Sequence, residues 1–186
     1  MNKTKMGLAT VALIGLIALA FAVGFHQGQH ATVQQQIRTS DIVQVTITRE
    51  GKVVYSCATH NLITNIGARF VRNILGFANQ TATIVKYVAL SSDTTPSVTW
   101  TKLPSEFTTG GLARASGTVS VVNATAFQVV ASWTSSTTAT ISCTGLHWDG
   151  TAGSDGNLFA AAAIPSASVI PGDNIQVTWT VNTPAG

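Results

Sequence analysis

Charge is what this sequence has least of. Only 9% of its 186 residues are Asp, Glu, Lys or Arg, where a soluble domain ordinarily has roughly 25%. Ten basic residues stand against seven acidic ones, a net charge of +3. That excess is too small to neutralise a run of phosphates, which argues against a nucleic-acid partner. No acidic or basic tail occurs, and a hydrophobic content of 45% argues against disorder. Internal repeats are absent. So are Gly-x-Ser-x-Gly, a phosphate-binding loop and His-Glu-x-x-His, so no known motif nominates a catalytic residue.

What is present begins with an address. Lys3 and Lys5 precede an uncharged, largely apolar stretch from Gly7 to Phe25. A positive flank, an apolar run and a small-residue end have the form of a secretory signal, with Ala20-Phe21-Ala22 placing cleavage after Ala22. The run is 19 residues long, close to the span of a bilayer. Retained as an anchor, with the lysines inside, it would leave the rest of the chain facing out. A third reading takes Lys5-Met6-Gly7 as a prepilin-like cleavage site and the apolar run as a packing helix, as in type IV pilins. Against the pilin pattern, no acidic residue follows Gly7 closely, and Met6 stands where a basic residue is common. All three readings put residues 31–186 outside the cytoplasm, extracellular or at the cell surface. The expected organisation is residues 1–25 as signal, anchor or pilin-like helix, 26–40 as a polar arm rich in glutamine, and 41–186 as one folded domain.

An even cysteine count fits that address. Cys57 and Cys143 are candidates for one disulfide. It would close a loop of roughly 85 residues, worth about 4 kcal/mol in the chain-entropy account. Two buried free thiols are the alternative.

From residue 41 the hydrophobic period is two. Val43, Val45 and Ile47 alternate with Gln44, Thr46 and Thr48, and Glu50-Gly51 predicts a hairpin over 41–58. Residues 64–76 break that period. Ile66, Phe70 and Ile74 fall four apart, Thr64 or Asn65 can cap, and Gly76 closes, which predicts one short amphipathic helix with a core-facing stripe. Further strands are expected over 83–91, 112–122, 126–134, 139–147, 158–164 and 174–182, with loops over 92–97 and 149–157. Short strands at this spacing with Gly, Pro and Asp turns predict an all-β fold, a single antiparallel β-sandwich of Ig-like or jelly-roll-like type.

Several side-chain groups have the chemistry of sites. Cys57-x2-His60 and Cys143-x3-His147 have the donors of a Cys2His2 zinc site. On a regular strand, however, Cys57 and His60 point to opposite faces, and Cys143 lies about 13 Å from His147. His26 and His30 read as an exposed pair on the arm. Asp149 and Asp155 among Gly150, Gly153 and Gly156 suggest a calcium loop but miss the EF-hand spacing. The expectation is no metal and no cofactor. Asn79 and Asn123 head glycosylation sequons. Trp100 and Trp148, beside loops, are the candidates for a glycan-binding surface, whereas Trp133 and Trp179 sit in strand patterns as core.

From His60 onward the chain resembles β-sandwich structural and appendage proteins of tailed bacteriophages and related viruses. The pieces that carry it are His60 to Gly67, Lys86 to Ser91, Leu103-Pro104-Ser105-Glu106, Gly111-Leu112-Ala113-Arg114, Gly145 to Asp149, Gly156 to Ala160, and Pro171-Gly172-Asp173 through Val181. They cover about two thirds of the chain. The resemblance implies a building block of virion appendages without catalytic residues. The export segment departs from it. The expectation is a non-enzymatic structural protein that self-assembles into a surface filament, by donation of the arm and the 41–48 strand to a neighbour's sheet edge. The alternatives are a virion appendage and a glycan- or surface-binding adhesin. The expected partner is a second copy of the chain, with a membrane through residues 7–25 and a glycan as further candidates.

Overall fold

A computed structural model of the chain describes residues 41–77 and 83–182. They belong to one compact unit, residues 38–186. The 1–25 segment, the 26–40 arm with His26 and His30, and Asn79 lie outside the described residues. Among the described residues no helix is long and apolar enough to cross a membrane.

Alternation at 43–47 makes β1 (Ile42–Arg49), with Val43, Val45 and Ile47 fully buried. Glu50 and Gly51 turn the chain with φ of 51° and 77°, conformations that suit glycine, and β2 (Lys52–His60) returns. A two-residue strand β3 (Leu62–Ile63) leads into helix α1 (Asn65–Gly76). Then come β4 (Tyr87–Ser91), β5 (Ala115–Ser116), β6 (Thr118–Asn123), β7 (Ala126–Thr134), β8 (Ala139–His147), β9 (Leu158–Val169) and β10 (Asn174–Asn182). They form two five-stranded sheets, β2-β1-β10-β7-β6 and β3-β9-β8-β4-β5, antiparallel throughout. The core between the sheets joins Val43, Val45, Ile47, Val129, Val177 and Trp179 of the first to Val88, Leu90, Ile141, Leu146 and Val169 of the second. The expected all-β sandwich with one short helix is what the described residues form.

Three elements differ from expectation. The 112–122 run is two strands in two sheets. Gly117 carries the crossing: its N–H donates to the Lys86 carbonyl at 2.8 Å, and a Cβ there would lie 2.6 Å from a Val129 methyl. The 158–164 strand continues to Val169 through Pro165. A register shift against β8 absorbs the proline there, as bulges do. Third, the helix stripe is only partly core. Ile66 is buried, but Val71, Ile74 and Leu75 are exposed, Leu75 by 82%, because α1 lies chiefly against β9 and turns only one side to the sheet.

α1 starts where expected. The Thr64 hydroxyl oxygen accepts from the Gly67 N–H at 3.0 Å while its O–H donates to the Leu158 carbonyl at 2.5 Å. One cap therefore both closes the helix and ties it to β9.

All seven acidic residues and seven of the ten basic ones fall within the described residues. The folded domain is thus formally neutral. Lys3, Lys5 and Arg38 supply the excess. Across β1, β10 and β7 the outer face of the first sheet is built from Gln44, Thr46, Gln176, Thr178, Ser132, Thr134 and similar uncharged residues.

Candidate functional site: an uncovered sheet edge and a sealed polar cluster

Cys57 and Cys143 are free thiols, which corrects the disulfide expectation. On β2, Cys57 faces inward and packs against the core between the sheets. Cys143 points to the far side of the second sheet, into a smaller cluster with Ile66, Ala89, Leu103, Leu158 and Ala161. A whole sheet separates the two, so no rotamer change could join them. Burial in that apolar layer pushes the Cys143 thiol up to about 12, away from reactive thiolate.

The zinc donors are likewise split between two sheets, Cys57 and His60 on β2, Cys143 and His147 on β8. Asp149 and Asp155 accept from the N–H groups of Thr151 and Gly156, each at 2.7 Å. The Thr151 bond holds the Asp149 carboxyl below the usual range, and the Thr101 side chain together with the Gly156 N–H does the same for Asp155, so both carboxyls shape the loop from within. Among the described residues no three His, Cys, Asp or Glu side chains stand together as a metal site would need.

Trp100 and Trp148 do not stand clear of the surface as a sugar-stacking platform needs. Both are half-buried and pack against the small cluster. One face of Trp148 is stacked on Phe70, with ring centroids 4.5 Å apart. Trp133 and Trp179 are core, as expected. Asn123 lies at the β6–β7 turn, exposed, its side-chain oxygen accepting from the Thr125 N–H at 2.8 Å.

Beneath the 148–157 loop is a polar cluster that motif reading did not single out. Arg114 donates to both oxygens of Glu106, at 2.9 and 2.7 Å, and both side chains are sealed from solvent. Its remaining Nη donates to the Asp149 carbonyl at 2.8 Å and to Asn157 Oδ1 at 3.1 Å. Asn157 Nδ2 donates to the Ser154 carbonyl, which fixes the amide so that Oδ1 accepts. His147 Nδ1, 2.7 Å from that oxygen, must then carry the proton. Its Nε2 has no partner and lies against Gly145, where a Cβ would be 2.9 Å away. A buried ion pair this fully hydrogen-bonded fixes geometry more than it adds stability. Here it clamps the 103–114 segment to the 148–157 loop over the second sheet.

His147 gives the cluster a pH signature. Burial, with Arg114 nearby, lowers its pKa to about 3. The unfolded chain takes up that proton as pH falls through about 6.5 and the folded chain does not until about 3, so the unfolded state is favoured progressively across that window. Stability is expected to fall by a few kcal/mol from pH 6.5 toward 3.5, at up to roughly 1.4 kcal/mol per pH unit. His147→Gln should flatten the slope between pH 6.5 and 4.5, above the range where Asp149 and Asp173 titrate. Denaturant midpoints measured against pH check this, and an unchanged slope would sink it.

The sheet edges differ from one another. Tyr55 of β2 donates its hydroxyl to the Pro165 carbonyl of β9 at 2.5 Å, which closes the sandwich on that flank. Pro165 and its bulge interrupt the outer edge of β9, a usual protection against strand addition. On the other flank β6 is exposed at all six residues, Thr118-Val119-Ser120-Val121-Val122-Asn123, with neither charge nor proline. Val119 lies opposite buried Val129, and Val121 opposite Phe127, so both point to the core side of the sheet. Yet they are 42% and 83% exposed. The second sheet ends above them in β5, only two residues long.

Compared with known protein families, curated proteins and solved structures, the chain matches none.

Proposed function

We propose that the protein is a non-enzymatic structural subunit of the cell exterior that self-assembles into a pilus- or thread-like filament by strand donation. The observation that carries this is β6, a six-residue, uncharged edge strand whose core-side valines, Val119 and Val121, are exposed by 42% and 83%. Such an edge is a template for another strand. A formally neutral domain with a charge-free sheet face adds to it, because subunits can pack closely without desolvating ions. The export-type segment at residues 1–25 supports the surface location, and an Ig-like or jelly-roll-like block suits the role.

Of the expected donor, the arm and the 41–48 strand, only the arm is retained. Residues 42–49 are a central strand of their own sheet, paired with β2 and β10, and giving them up would open the core. A second reading, the virion appendage, is favoured by one observation: Glu106, Arg114, His147, Asp149 and Asn157, all from segments that carry the phage resemblance, meet in the buried polar cluster.

Electron cryo-microscopy of material sheared from the native surface tests the proposal. Regular filaments whose repeat fits the 41–182 domain are expected. Dispersed monomers or single membrane-bound copies would overturn the filament and favour an adhesin. Density on a virion would favour the appendage.

A further inference from the structure

We infer that the outer edge of β6 is the acceptor groove for one particular donor, the 31–38 stretch of the arm of a second copy, which adds to the first sheet as a sixth strand. This rests on the assembly reading above and deepens it. Three observations select the donor. First, the arm ends at Asp41, whose carboxylate is fixed by the Asn182 N–H and the Asn61 amide, each at 2.8 Å. The arm therefore meets the described sheets at a pinned point. Second, length suffices. The eight residues 31–38 extend over roughly 26 Å as a strand, while six residues of β6 need only about 20 Å, and Thr39 and Ser40 link the donor to its own domain, which therefore sits close to the end of the acceptor strand.

Third, the arm has the binary pattern that the edge requires. As a strand, alternation sets Val33, Gln35 and Ile37 on one face and Thr32, Gln34, Gln36 and Arg38 on the other. The first face supplies two β-branched apolar side chains to cover Val119 and Val121. The second continues the Thr, Gln and Ser surface of the first sheet's outer side. The stretch contains no proline, and its one charge, Arg38, falls at its end on the outer face, so no missing N–H opposes pairing and no ion has to be buried against β6. The other edges fit less well: β2 begins with Lys52 and is tied to β9 through Tyr55, and β9 is broken at Pro165. Because donor and acceptor are different parts of the chain, the contact is heterologous and propagates as a filament unless the rotation closes.

The test uses the full-length chain with Cys57→Ser, leaving buried Cys143 in place. One tagged variant carries Val121→Cys. Differently tagged partners carry Val33→Cys, Gln35→Cys or Ile37→Cys. After mixing, assembly and mild oxidation, at least one combination is expected to cross-link between the two tags with a yield at least tenfold above a control bearing Val53→Cys on β2. Alongside, Val121→Lys should fold with an unchanged melting curve, since the site is on the surface, and lose at least tenfold in polymer yield. Polymer from Val121→Lys at the wild-type level, cross-links only between two Val121→Cys copies, or cross-links that favour the β2 control would overturn the arm–β6 pairing while leaving self-assembly standing. If the unmodified chain forms no polymer at all, the assembly reading fails and takes this pairing with it.

Discussion

Arg114→Met is expected to lower the melting temperature by roughly 10–15 °C, the equivalent of about 3–5 kcal/mol for breaking a buried ion pair in a domain of this size. The reason is asymmetric. Methionine fills much of the volume, but it leaves Glu106 with a carboxylate sealed from water and only the Gly153 N–H, at 3.0 Å, as a partner. It also leaves Asn157 Oδ1 with His147 alone and removes a donor from the Asp149 carbonyl. Removing both charges together, Arg114→Met with Glu106→Leu, should recover more than half of the loss, because no unpaired buried charge remains. Calorimetry on the two single variants and the double completes a thermodynamic cycle. Additive losses would show that the pair is not a coupled buried unit.

Gly67→Ala comes second, at about 2–3 kcal/mol, within the range of overpacking a close contact. Its sign is informative. In an isolated helix the same change stabilises by roughly 1 kcal/mol. Here a Cβ would fall 2.0 Å from the Phe159 carbonyl oxygen, and that neighbour is β9 backbone, which cannot rotate away. α1 must lift from the strand, which strains the Thr64 cap, its bond to Leu158 and the stacking of Phe70 on Trp148. A peptide of residues 63–77 should gain helicity on the substitution while the whole protein loses stability and tryptophan fluorescence shifts toward that of exposed indole. Unchanged stability would mean that α1 is not held at Gly67.

The strands whose neighbours in sequence decide their pattern were legible before folding. Residues 126–134, 139–147 and 174–182 alternate or cluster β-branched residues between clear turns, and their ends fall where expected. Gly117 was not legible, since a glycine between Ser116 and Thr118 leaves period two intact, and the change of sheet is dictated by Lys86 and Val129 across the fold. Pro165 reads locally as a stop, and only pairing with β8 shows a bulge that tolerates it. The candidate sites follow the same division. The 112–122 run was legible as strand, but that Val119 and Val121 lie on the core side and stay exposed depends on pairing with β7 and on how short β5 is. Cys57 and Cys143 could be counted from the sequence, but not assigned to opposite sides of a sheet. Arg114 lies eight residues from Glu106 and 43 from Asn157, distances that no local pattern links. The signal was scarcity: in a chain with so few charges, an arginine inside an apolar stretch has a partner to find.

Asp41 opens β1, and its carboxylate holds the end of β10, so both ends of the folded domain leave from one place on adjacent antiparallel strands. This geometry fixes how the domain meets mechanical force. A pull between its two ends would unzip β1 from β10, breaking hydrogen bonds one after another at low load. A pull that enters at Asp41 and leaves through a strand clasped antiparallel on β6 runs along the strand axes instead. It loads the β1–β10, β10–β7 and β7–β6 ladders in shear, where their bonds resist together. In a chain of subunits linked arm to edge, tension therefore takes the strong route through the sheet, and the fold bears it without any covalent cross-link.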